Sequence, residues 1–452
     1  MYKLLSIILL LVFVVPNEKK ERYLSDRITA YKDIEDIQGA FRASNPAFLK
    51  LGDSVFTKKN ARDLVISGAD SVHVFSFDRD SSGHSNVGQL FDHCIPGNYP
   101  TRFQDPFSYC IFTNLIEKVA AIGQALTGKK EPPKYGTMFV GELNAEKMNF
   151  KGTYLLMINA RIAAFSHQMC KVALQPIRVE RDINDTNFIT FGLQHRKIDS
   201  IIVADRELNI NFLYTMLEFH YQNMPPNNKL FLTDDYFEKA LAYWNDGFEY
   251  FLLGHEYAHQ LMAHENSTSP DTAIRNLDAW YKEVAADSLG QLILNRIVLS
   301  NADDQYQLGW NKYLLMGGNF LLATLGVYEK SLSIIEDDQE IKPLTDEERQ
   351  TITRVFDWSV PYQGRLEKFR SLPRDIIIKD HPPAEIRMQQ LARVTKQVFA
   401  KSLHSRNDFN DVEDLHYLLA QSLLYSVEKM YESDRFAIFN AYKQREQLEQ
   451  FK

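Results

Sequence analysis

Apolar residues recur at helical spacing through the second half of the chain and in shorter, strand-like alternations ahead of it. Phe248, Phe251, Leu252, His255, His259 and Met262 fall at i, i+3 and i+4 intervals, which predicts an amphipathic helix from Phe248 to His264. Asp246-Gly247 is expected to break any helix running in from the preceding residues. A second helix, apolar through Ala285, Ala286, Leu289, Leu292 and Ile293, is expected from about Asp278 to Ser300. The run from Tyr313 to Tyr328 contains Gly317, Gly318 and Asn319 and reads as a buried helix. Beyond Ser300 the pattern is almost wholly helical, with acidic connectors at Asp303-Asp304 and Glu336 to Glu340 and a charged helix from Asp434 to Lys452.

The first half is more varied. Glu18 to Asp53 reads as helical, Ile66 to Asp78 as strand-like, Asp78 to Pro106 as loop-rich, and Phe107 to Leu126 as a helix. Strand-like pieces follow at Met138 to Val140, Tyr154 to Asn159, Phe188 to Gly192 and Ile201 to Val203, with helices at Arg161 to Leu174 and Asn209 to Gln222. The fold class is therefore α+β and mostly helical, with a small sheet ahead of the long helices. Three regions are expected: an N-terminal module over 1–130, a central domain over 136–395 and a C-terminal helical extension over 396–452.

Composition narrows the function classes. Of 452 residues, 45% are hydrophobic and 24% charged, which is ordinary for a globular protein with two or three cores. A net charge of −8 offers no basic stripe, so nucleic acid is excluded as a partner. The three cysteines, Cys94, Cys110 and Cys170, form no C-x-x-C pair and suggest neither a disulfide framework nor a thiolate metal site. Gly123 to Lys130 comes close to a phosphate-binding loop, but Lys130 stands where a hydroxyl is needed and a helix precedes it; a helix C-cap at Gly128 accounts for the glycine. The apolar run from Leu4 to Val15 is too short to span a bilayer comfortably. It suits a signal-peptide core, yet no small-x-small cleavage site follows. A cytoplasmic protein is expected, with export or anchoring through residues 4–15 as the alternative and the only route to a membrane.

The chemistry lies in Gly254-His255-Glu256-Tyr257-Ala258-His259, which spells H-E-x-x-H on a helix. Residues four apart share one helix face, so His255 and His259 can offer two imidazole nitrogens to one zinc ion, with Glu256 beside them as general base. With 12 histidines in the chain, chance would produce this pattern in about one such chain in fifty. A catalytic zinc takes three protein ligands and keeps one position open. Glu283, 24 residues beyond His259 (283 − 259), is the candidate third ligand, and the polar stretch from Glu265 to Asp271 lets its helix fold back. Asp287, one turn further on, can orient a ligating imidazole.

Together, His255-Glu256-x-x-His259 and Glu283-x-x-Ala286-Asp287 resemble the gluzincin peptidases, whose third ligand is a glutamate on a later helix. Asp380-His381-Pro382-Pro383-Ala384-Glu385-Ile386-Arg387 resembles the T-H-P-x-x-x-x-R segment of HtpX-like and CAAX-protease-like enzymes, with Asp380 in place of threonine. Leu143-Asn144-Ala145, followed by a strand and a helix, is a looser echo. The separation of 24 residues is nearer that of ImmA/IrrE-type and Lit-type peptidases. The resemblance implies a zincin-like core, one Zn²⁺ per chain and a protein or peptide substrate that pairs with an edge strand, for which Tyr154 to Asn159 is the candidate. It also implies that His381 and Arg387 act in catalysis as oxyanion donors, with Tyr257, Tyr281 and His264 as competitors; capping of the helix near Ala384 is the other reading of His381. The function expected is that of a zinc-dependent endopeptidase, a hydrolase; the alternative is a catalytically silent zincin-fold binding or regulatory protein.

Overall fold

The computed structural model describes residues 31–40, 58–71, 87–94, 104–129, 131–138, 145–150, 153–174, 179–181, 189–191, 235–264, 268–300, 305–337, 344–379 and 381–399, with isolated positions at 100, 101, 215, 216 and 219. The calls on residues 4–15, Leu143-Asn144, Ile201 to Val203, most of Asn209 to Gln222, Asp380 and 400–452 lie outside these. The fold is α+β and mostly helical. Its chain divides into two compact units: one of residues 1–113, 133–140 and 146–160, the other of 114–132, 141–145 and 161–452.

The first unit holds a helical stretch at 31–40, helices α1 (Lys58–Ser71) and α2 (Val87–Cys94), the start of α3 (Pro106–Thr127), and strands β1 (Lys134–Met138), β2 (Ala145–Phe150) and β3 (Thr153–Asn159). Ile34, Ile37, Met138, Leu155 and Met157 form its core. Two expectations fail here. Of the stretch expected as a strand, residues 66–71 belong to α1, where Arg62 and Ile66, one turn apart, pack over Gly88 of α2 and a Cβ there would come within 3.1 Å of both, while 72–78 lies outside the described residues. The loop-rich stretch also contains α2. The sheet order is β1-β3-β2, with β1 and β3 parallel. Tyr154 to Asn159 therefore occupies the central strand, its backbone groups already paired on both sides, and is not available as an edge for substrate.

In the second unit, α4 (Ile162–Leu174) and the short pair β4 (Val179–Arg181) and β5 (Ile189–Phe191) lead to α5 (Asp235–Leu261), α6 (Thr272–Ser300) and α7 (Gln305–Asp337). Four shorter helices follow: α8 (Asp346–Val355), α9 (Tyr362–Arg370), α10 (Arg374–Ile377) and α11 (Ala384–Phe399). Among the described residues, no helix is long and apolar enough to cross a membrane.

Helix α5 runs unbroken through Asp246-Gly247, contrary to the sequence expectation. The glycine serves a helix crossing: a Cβ at Gly247 would stand 1.9 Å from the Leu314 carbonyl oxygen of α7, and one at Gly317 would stand 2.0 Å from the Gly247 backbone. With side chains removed from both contact points, the two backbones touch, and Trp244 and Phe248 close around Phe320 beside them. A second bond between elements is polar. On α5, the buried Glu249 carboxylate accepts from Asn245 Nδ2 at 3.0 Å and from Ser166 Oγ of α4 at 3.2 Å. Burial and the neighbouring Asp246 push the Glu249 pKa up to about 8, so the group is mainly protonated at neutral pH.

Gly247→Ala is expected to destabilise the protein by about 2 kcal/mol or more, since overpacking of two backbones outweighs the gain of about 1 kcal/mol in helix propensity. Urea denaturation would measure it, and an unchanged or raised midpoint would contradict the crossing. Glu249→Gln tests the buried acid. A carboxyl whose folded pKa is raised contributes stability at low pH that is lost as pH climbs from about 4.5 to about 8. The amide variant should therefore match wild type near pH 4 and melt at a higher temperature than wild type at pH 8.

Candidate metal centre

Helices α5 and α6 meet at Gly254 and Gly290. A Cβ on Gly290 would lie 2.9 Å from the His255 nitrogen and 3.1 Å from its Cα, so the backbones approach directly beside the first histidine. Asp271 starts α6 by accepting from the backbone N–H groups of Ala273 and Ile274 at 2.8 and 3.3 Å. Glu283 and Asp287, seven and three residues before Gly290, share its helix face and so face α5.

The three expected ligands converge. His255 Nε2 and His259 Nε2 are 3.2 Å apart, and Glu283 oxygens lie 3.4 Å from the first and 3.3 Å from the second. The two Glu283 distances belong to different oxygens, and one donor atom from each of the three residues lies within 4.8 Å of the others, close enough to share a single small cation. Glu283 Oε2 supports the fit independently: it is buried with no hydrogen-bond partner, its nearest cationic or imidazole nitrogens lying at 3.4–3.5 Å. His255, His259 and Glu283 are the one such metal-competent cluster among the described residues.

Around them sits a charged frame. His255 Nδ1 lies 2.9 Å from Asp287 Oδ1, and Asp287, fully buried, receives both Nε and Nη2 of Arg387 at 2.7 and 2.8 Å. Arg387 Nη2 also reaches to 3.5 Å from Glu283. Burial disfavours charge on every one of these groups, but their mutual pairing prevails. It holds Glu283 well below the usual carboxylate range, depresses Asp287, and pushes His255 up to about 10, while burial keeps His259 below its ordinary value. A cation entering the cluster must displace the His255 proton, so its affinity rises with pH.

Glu256 Oε1 is 3.9 Å from His255 Nε2, on the ligand side of the helix. His381, its side chain 51% exposed, places Nε2 3.5 Å from Glu283 Oε2. That segment is tied to α6 by main-chain acceptance: Asn276 Nδ2 donates to Ile377 O at 2.7 Å and Trp280 Nε1 to Lys379 O at 2.8 Å. Below it, Leu277, Trp280, Val355, Phe369 and Ile386 form a common core. The region after Ser300 thus packs on the metal-site helices within one unit, as a return of the chain to the cleft requires.

The competing donors are occupied elsewhere. Tyr257 OH donates to Glu131 O at 2.6 Å, and Tyr281 OH to Val355 O at 3.1 Å. His264 stands behind His259, Nδ1 to Nδ1 at 3.0 Å. Arg387, expected in catalysis, is buried with two of its nitrogens committed to Asp287. Sequence reasoning missed the Gly254–Gly290 contact and the place of His264. A glycine on each of two helices, one beside His255 and the other two turns beyond Glu283 on the same face, was the available signal for the first.

The chain matches no protein-family model, no curated protein and no solved structure. Arg387→Met is expected to cost about 3–5 kcal/mol, because it removes two guanidinium hydrogen bonds from the buried Asp287 and leaves His255 as its remaining partner. Chemical denaturation of the variant checks this. Stability equal to wild type would mean the Arg387–Asp287 pair does not hold α11 against α6.

Proposed function

We propose that this protein is a zinc-dependent endopeptidase with a zincin-like core of the gluzincin type, cleaving peptide bonds in a protein or peptide substrate. The observation that carries the reading is the spacing of the His255, His259 and Glu283 donors at 3.2–3.4 Å, with an acid, Glu256, beside them. When bound, zinc supplies Lewis acidity that favours ionisation of water near neutral pH and polarises a carbonyl.

The residues divide the remaining work. Glu256 takes the proton of the attacking water on its carboxylate and returns it to the departing amine nitrogen. His381, half-exposed and beside Glu283, donates to the carbonyl oxygen as that oxygen gains charge. Asp287 Oδ1, 2.9 Å from His255 Nδ1, favours the tautomer with its proton on Nδ1 and Nε2 free as a donor, and Arg387 holds Asp287 in place. Arg387 is thus assigned a positioning role, and His381 alone of the downstream pair faces reacting groups.

Purified protein should carry about one zinc per chain, and His255→Ala or Glu283→Ala should lose it. Asp287→Ala should weaken binding by a smaller factor, about 10- to 100-fold. Glu256→Gln should keep zinc and fold while abolishing cleavage in a proteome-wide screen run beside wild type. Protein without zinc under these conditions defeats the metal reading. Zinc-loaded wild type that cleaves nothing across the screen would leave a silent zincin-fold binding protein in its place.

A further inference from the structure

Helix α5 ends in a tight reversal. Ala263 N donates to Gln260 O at 3.1 Å and His264 N to His259 O at 3.0 Å, the paired bonds of a Schellman motif. Glycine commonly fills the left-handed position of that motif, yet here it is Ala263, with φ of 52°. The reversal turns the next side chain back along the helix. His264 is brought onto the second histidine, with ring centroids 5.1 Å apart, planes at 70° and the two Nδ1 atoms 3.0 Å apart. The opposite nitrogen of His259, Nε2, faces His255 and Glu283.

We propose that His264 is the positioning residue for His259, an inference that rests on the metal-centre reading above. If Nε2 of His259 offers its lone pair to a cation, the ring's proton must sit on Nδ1, because a neutral imidazole carries one N–H. His264 Nδ1 is then the acceptor, and its own proton is on Nε2. Each ligating imidazole so has a partner behind it. For His255 it is the buried carboxylate of Asp287, and for His259 it is a neutral, partly buried ring supplied by the helix terminus. The two supports differ in kind: the carboxylate adds negative charge behind its ligand, whereas His264 fixes tautomer and ring angle without adding charge.

The test is uptake of Zn²⁺ and Co²⁺ by the purified full chain, measured in competition with a chromophoric chelator, together with the visible absorption of the cobalt form. His264→Phe removes the acceptor and is expected to weaken both metals by about 10- to 100-fold and to shift the cobalt bands. His264→Asn, whose Oδ1 can stand near the position of Nδ1 and accept the same proton, is expected to restore most of the affinity and the wild-type spectrum. Wild-type affinity and spectrum in the Phe variant would overturn the proposal. So would an Asn variant no better than Phe when both melt at the wild-type temperature. Wild-type protein that takes up neither metal would instead remove the metal-centre reading itself, an outcome the His264 variants do not mimic.

Discussion

Close backbone contact between α5 and α6 is the constraint on which the site depends. Two imidazoles on one helix are common; bringing a carboxylate from another helix to within 3.4 Å of both requires the axes to approach more nearly than ordinary side chains allow. Gly254 and Gly290 remove the side chains at that point, and Gly247 with Gly317 does the same one face away, against α7. Helix α5 is thus clasped by backbone on two sides, which fixes its rotation about its own axis. That rotation decides where His255 and His259 point.

The second requirement is electrical. Without a cation, protonated His255 and Arg387 balance ionised Glu283 and Asp287, so the buried group of four is neutral. A divalent ion replacing the His255 proton leaves an excess of one positive charge, which Glu256 at the mouth of the cluster offsets. Burying four ionisable groups together is tolerable only when each has a partner at short range, as Asp287 has in both His255 and Arg387. Such a frame adds little to stability compared with an apolar core, but it specifies one arrangement of the ligands.

Much of this was legible in the chain. H-E-x-x-H carries its own geometry, since a four-residue interval on a helix sets one face, and Glu283 and Asp287 follow the same rule on an apolar helix. His381 and Arg387 were identified by resemblance, and the structure brings both to Glu283. What escaped was whatever depends on a partner element. Gly247 looks like a helix breaker because propensity is a local quantity, whereas its reason lies in the Leu314 carbonyl 67 residues later (314 − 247). The central place of β3 is equally invisible, because strand order is a property of the sheet. His264 borders a polar stretch in sequence, and only the left-handed Ala263 and the Nδ1 contact with His259 show that its ring is turned inward.

The attachment of the His381 segment has a mechanical meaning. Asn276 and Trp280 grip main-chain carbonyls of Ile377 and Lys379, and the same helix carries Glu283 and Asp287 further along. Ligand, orienting acid and half-exposed histidine are therefore mounted on one rigid rod. All three share one frame, which meets α5 where the backbones touch at Gly254 and Gly290. Because the grip is on carbonyls and not on side chains, residues 377–379 can change identity without releasing His381, whereas Trp280 cannot.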